Sequence, residues 1–223
     1  MFRRSWAGLL GVVTVAAVVA VAQPPDKPAA APADAKDKII PMPFRAYMVN
    51  GPRVGKFHDP VGERELKPTV AVFVRLVPPK PDTPEYAQFT EKMKAVGGLL
   101  QKLNGLVGEH VNDLFGAFAE FLWLEKDFLE DENHLKYAEI LTGFAAQAKL
   151  DKVQVGLAKV ADTPVEAFGI DPNAEVTVIG YDRLTVKYRA KFGPEPPLDA
   201  AAIDAVAAEA LKLLPSVKDK KKK

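Results

Sequence analysis

The chain's 223 residues include no cysteine. Thiol–disulfide exchange and thiol peroxidase chemistry therefore have no nucleophile to start from. What remains for polar chemistry is imidazole, carboxylate and hydroxyl. The histidines are His58, His110 and His134, and the first stands in the tightest group, His58-Asp59 followed by Glu63 and Glu65. Imidazole beside carboxylates is the equipment of a general base or a metal site. Neither His-x-His nor His-Glu-x-x-His occurs, so no metal and no cofactor is expected. Asp59-Pro60 also opens a polar turn, the plainer account of the same residues.

The second concentration of ligand-type residues is acidic: Glu125, Asp127, Glu130, Asp131 and Glu132. It lacks the alternating oxygen ligands and central glycine of an EF-hand loop, and reads as a solvated turn leading into a helix. No glycine-rich phosphate loop and no Gly-x-Ser-x-Gly elbow is present. Paired carboxylates for acid–base work cannot be picked out of 29 acids by spacing alone. His110 and His134 read as surface residues, and Phe121 and Trp123 as core.

These residues must be positioned by a regular scaffold, and its elements are legible. Residues 69–77 form a near-continuous β-branched and aromatic run, which suits a strand buried on both faces. Pro78, Pro79, Pro81 and Pro84 break it, and a helix follows from Glu85 with Phe89, Met93, Val96, Leu99, Leu100, Leu103 and Val107 at helical spacing. Four glycines weaken its later half, so a kink or a second short helix is expected at 110–114. Further strands are expected at 117–124 and 153–158, with a helix at 135–150 between them. Strands at 176–179 and 184–192 flank Gly180-Tyr-Asp-Arg183, a hairpin signal. A closing helix spans 199–214, opened by Asp199 as its cap and ended by Pro215. An extra strand is expected at 46–49. Alternating strands and helices imply parallel strands with crossover helices, and the hairpin makes the sheet mixed.

The ends differ from this middle. Arg3 and Arg4 precede an uncharged apolar run, 6–22, that closes on Ala20-Val21-Ala22. That pattern is a secretory signal peptide over 1–22, a little short of the roughly 20 residues of a bilayer span. Residues 23–38, rich in Pro, Ala, Asp and Lys, bury too little apolar surface to order and read as a linker. The folded domain is 39–215, followed by a lysine tail, 216–223. Removing the leader takes away Arg3 and Arg4, so the formal charge goes from +1 to −1. No global attraction to nucleic acid follows, and membrane contact is expected only if the leader is retained.

The element order resembles the thioredoxin-like fold, in its branch of peroxiredoxins and periplasmic thiol oxidoreductases. The likeness covers about 67–214 and is best at Val165-Glu-Ala-Phe-Gly-Ile170 leading into Glu175-Val-Thr-Val-Ile-Gly-Tyr-Asp-Arg183 and Lys187-Tyr-Arg-Ala-Lys-Phe192. It implies an α/β three-layer sandwich, a mixed central sheet with helices on both faces. Redox-active members place cysteine just after the first core strand, where this chain has Pro78-Pro79-Lys80-Pro81. They put a cis-proline before the hairpin, where Asn173-Ala174-Glu175 stands. Some exported members carry two cysteines in an upstream loop, at places matching Asp59 and Gly62. Each of these positions holds another residue.

The resemblance therefore implies a redox-inactive binding module with a protein or peptide partner. Its groove would be lined by Phe57, His58, Asp59, Gly62, Pro79, Pro81, Asn173 and Ala174. The alternatives are a non-thiol enzyme or metal site centred on His58 and Asp59, and an envelope-associated structural protein.

Overall fold

The computed structural model describes residues 44–64, 66–75, 79, 83–123, 131–160, 163 and 165–215. The leader, the linker, the lysine tail and Pro81 lie outside these residues, as does most of the acidic cluster at 125–132.

The run of β-branched residues becomes β3 (Thr69–Val74), whose every residue is buried. It sits inside a seven-stranded sheet of order β2-β1-β5-β4-β3-β6-β7. Its neighbours are β4 (Gly116–Trp123), parallel to it, and β6 (Val176–Asp182), antiparallel. Beyond β4 lies β5 (Gln154–Lys159), also parallel, and β7 (Thr185–Phe192) closes the far edge beside β6. The upstream strand is β1 (Ala46–Met48), antiparallel to β5, and it carries a two-residue partner, β2 (Phe57–His58), at the other edge. Parallel crossover strands, an antiparallel hairpin beside the first of them and a terminal helix make the topology thioredoxin-like.

Three long helices cover one face: α2 (Pro84–Glu109), α3 (Asp131–Gln147) and α5 (Ala200–Leu211). The first core cluster lies under them, with Leu99, Leu100 and Leu103 from α2, Leu141 and Ala145 from α3, and Val206 and Ala210 from α5. Burying a side chain of leucine size contributes about 1.5–3 kcal/mol, so this face holds much of the stability. The opposite face is covered by α1 (Pro60–Arg64), α4 (Val165–Phe168) and Phe44, over a second cluster that includes Phe73, Phe118, Ile179 and Tyr181.

The short second helix expected near 110–114 is a 3₁₀ turn at Val111–Asp113, after an α2 that runs to Glu109 with Gly105 and Gly108 facing open space. The hairpin turn falls at Arg183 and Leu184, which have positive φ (51° and 61°), rather than around Gly180. Gly180 lies within β6, where a β-carbon would come 2.9 Å from the Tyr188 ring; the glycine signals a close packing approach.

Candidate functional site

The residues singled out from sequence fall in two places. Phe57, His58, Asp59 and Gly62 belong to β2 and α1, at one edge of the sheet and on its second face. Asn173 and Ala174 form the loop before β6, and Pro79 lies between β3 and α2. Four strands separate β2 from β6, so at about 4.8 Å per strand their axes stand roughly 24 Å apart.

In the first place, each side chain has a local task. Phe57 is 58% exposed and sets its ring edge-on against Tyr47. His58 Nε2 lies 2.5 Å from Glu63 Oε2, across one turn of chain. Asp59 Oδ1 accepts from the backbone N–H of Val61 and of Gly62, both at 3.1 Å, and so caps α1. A carboxylate thus occupies a position where the resemblance would put one cysteine of the upstream-loop pair. At the far end of α1, Arg64 passes under Gly116, donating to Leu114 O at 3.0 Å and to Thr69 Oγ1 at 3.3 Å. A β-carbon at Gly116 would fall 1.8 Å from that guanidinium, so only glycine leaves the passage open. Burial pulls the Arg64 pKa down, while the Tyr181 and Glu63 charges raise it.

Beneath α1 lies a residue that the reading from sequence passed over. Glu120, in the middle of β4, has no exposed surface, and neither carboxyl oxygen has a hydrogen-bond partner among the described residues. It stands between Phe73 of β3 and Gly156 of β5. A β-carbon at Gly156 would lie 2.4 Å from Glu120 Oε2, so the glycine makes room for the carboxyl. Desolvation, and then the nearby Asp59 charge, hold the Glu120 pKa well above the usual carboxylate range. A buried carboxyl without donors is stable only in its neutral form. The signal was present in sequence: one acid inside an otherwise apolar strand, Gly116-Ala-Phe-Ala-Glu-Phe-Leu-Trp123.

The second place is organised by Asp171. Its Oδ1 accepts from Asn173 N at 2.8 Å and its Oδ2 from Lys191 Nζ at 3.0 Å. These two bonds, the first of them foremost, lower its pKa. Ala174 is buried, and Glu175 joins three elements. Its carbonyl accepts from Arg75 N, its N–H donates to Phe192 O, and its carboxylate pairs with Lys92 of α2.

Between α2 and α3, at the C-terminal end of β4, a narrow cleft is lined by Phe89, Met93, Phe121, Trp123, Tyr137 and Ile140. Trp123 and Tyr137 are in ring contact, their centroids 3.6 Å apart. Phe121 and Trp123, expected as core, are buried there. A broader and more open depression lies against Asn50, Thr142 and Lys149. Among the described residues no group of three or more His, Asp or Glu is placed to hold a metal ion, and no helix is long and apolar enough to cross a membrane.

No protein-family model and no curated protein matches the chain. Solved structures similar to it include one assigned as a thiol:disulfide interchange protein DsbE from Chlorobium tepidum, at 13% identity and TM-score 0.48, covering 81% of this chain and 98% of that one. A secreted disulfide oxidoreductase from Mycobacterium tuberculosis aligns at 9% identity and TM-score 0.47, over 76% of this chain and 95% of its own. A secreted thiol-disulfide isomerase from Corynebacterium glutamicum aligns at 11% identity and TM-score 0.47, over 77% and 84%. At these identities no activity transfers to this chain, and the fold assignment rests on strand order and direction.

Proposed function

We propose that the chain is an exported, redox-inactive thioredoxin-like domain that binds a protein or peptide segment at the C-terminal rim of its parallel strands. The cleft of Phe89, Met93, Trp123, Tyr137 and Ile140 is the observation that carries this reading. Open α/β sheets take ligands outside the carboxyl ends of their strands, and aromatic side chains supply most of the energy at such contacts. Pro79, Asn173 and Ala174 belong to the same rim, and the Lys92–Glu175 pair ties α2 to the pre-hairpin loop. Export rests on the signal-peptide pattern at 1–22.

Trp6 and Trp123 are the two tryptophans, so in a chain starting at Gln23 the fluorescence reports on the cleft alone. Titration with a library of unstructured peptides should shift that emission for a subset of sequences. Ile140→Asp, at a half-exposed rim position, should weaken the best binder at least tenfold, or about 1.4 kcal/mol. Binding that survives Ile140→Asp but is lost in His58→Ala with Asp59→Ala would move the site to the upstream loop. A library that leaves Trp123 unperturbed throughout refutes the rim reading.

The His58–Glu63 hydrogen bond favours a second reading, a proton-transfer centre on His58 and Asp59. Its mark would be hydrolysis of a small ester or amide that falls at least a hundredfold in His58→Ala and is unaffected by Ile140→Asp.

A further inference from the structure

We propose that α1 is a proton-gated cover over the second face of the sheet: it closes when the Glu120 carboxyl carries a proton and opens when it gives that proton up. Three observations place the gate there. Glu120 is fully enclosed and both of its oxygens lack donors among the described residues. Its carboxyl lies in the gap above Gly156, where a β-carbon would come 2.4 Å from Oε2. The cover itself is thin: α1 has five residues, with Pro60 and Val61 its buried side chains.

Among the described residues, none donates to the carboxyl. β1, β3 and β5 present Ala46 and Met48, Ala71 and Phe73, and Gly156 and Ala158 to this face. From β6 comes the Tyr181 phenol, whose own pKa burial raises. Arg189 of β7 is turned to α4, where it donates to Phe168 O at 2.8 Å. β2 and the cover contribute the paired His58 and Glu63, Arg64 engaged with Leu114 and Thr69, and Asp59. Of these, Asp59 is the charge that acts on Glu120, and it is a like charge. Ionisation therefore sets two carboxylates against each other, one of them the cap of α1. Relief comes from lifting the capped helix, which is the smaller movement because β4 is locked between two neighbours.

The direction follows from proton linkage. The closed state holds a proton that the open state releases near pH 4.3, the ordinary glutamate value of about that size. Each pH unit above that therefore favours opening by up to about tenfold, until Glu120 ionises in the closed form as well. Opening is fully suppressed only on the acid side of that window.

Hydrogen exchange of the full chain, measured as a pH series and divided by intrinsic rates, tests the gate. Opening at 60–64 should rise by up to about tenfold per pH unit while the middle of α2, 96–103, stays constant. Glu120→Gln should flatten that rise. Asp59→Asn keeps a capping side chain and removes the charge, so Glu120 should ionise in the closed form at lower pH and the rise should level off earlier. The protonated-carboxyl band in the infrared spectrum should fade in step with opening, a readout that needs no variant at 120. A flat series at 60–64, an equal rise in α2, or a rise unchanged in both variants would each overturn the proposal.

Discussion

The two faces of the sheet solve the same burial problem differently. The first is sealed by three helices of 26, 17 and 12 residues over an almost entirely aliphatic and aromatic cluster. The second is sealed by two helices of five and four residues, and it encloses Glu120, Arg189 and Thr69. Apolar burial and its area account for the first face. The second keeps polar groups where burial is costly, so its design has to answer to something other than stability. The chain separates a stabilising face from a face whose cover is short enough to yield.

The largest expected effect belongs to the first face. Leu100 is completely buried in α2 and packs in the aliphatic cluster. Leu100→Ala should cost about 2–5 kcal/mol, the transfer loss plus the cavity left behind, read as a shift in the denaturant midpoint at unchanged slope. A cost below about 1 kcal/mol would mean that the first face is not where stability resides, and the contrast between faces would collapse.

The second face should respond through coupling instead. Gly156→Ala puts a methyl 2.4 Å from Glu120 Oε2 and 2.9 Å from the Ala46 β-carbon. Overpacking of this kind costs about 1–3 kcal/mol. In a Glu120→Ala background the nearer obstacle is gone, so the same substitution should cost measurably less. A double-mutant cycle should give an interaction energy of at least about 0.5 kcal/mol. Strict additivity would show that Glu120 is not held in place by the gap over Gly156.

Much of this contrast could be read from sequence, and the unread part has a physical reason. The strand at β3 was legible because every residue from Thr69 to Val74 is of strand-forming, apolar or β-branched type. The helices at α2, α3 and α5 were legible from their periodicity, and Asp199 was legible as a cap from its place just before that period, where its side chain accepts from Ala202 N. Glu120 was hidden by its company: seven uncharged neighbours in the strand define the element, and the glycine that makes room for it lies 36 positions on. Strand β2 and helix α1 were unread because two and five residues carry no period. The rim cleft draws Phe89, Trp123 and Tyr137 from three separate elements, so only the tertiary structure assembles it. Trp123 was recognised as core, and what it is core to was not.

The smallest expected effect is also the sharpest comparison, because each face has a helix capped by an aspartate. On the first face Asp199 Oδ1 accepts from Ala202 N at 2.8 Å and starts α5. On the second face Asp59 does the same for α1, but beside a buried carboxyl. Loss of an aspartate cap costs about 1 kcal/mol, so Asp199→Ala should destabilise by that amount at every pH between 5 and 8. Asparagine caps about as well as aspartate, so Asp199→Asn should be close to neutral. Asp59→Asn should not be neutral: it keeps the cap and removes a like charge, so it should stabilise, and by more as the pH rises. Thermal melts of the two asparagine variants at pH 5 and pH 8 decide the matter. Parallel behaviour would mean that Asp59 is only a cap and that the two faces differ in composition alone; divergence growing with pH would tie the second cap to the acid beneath it.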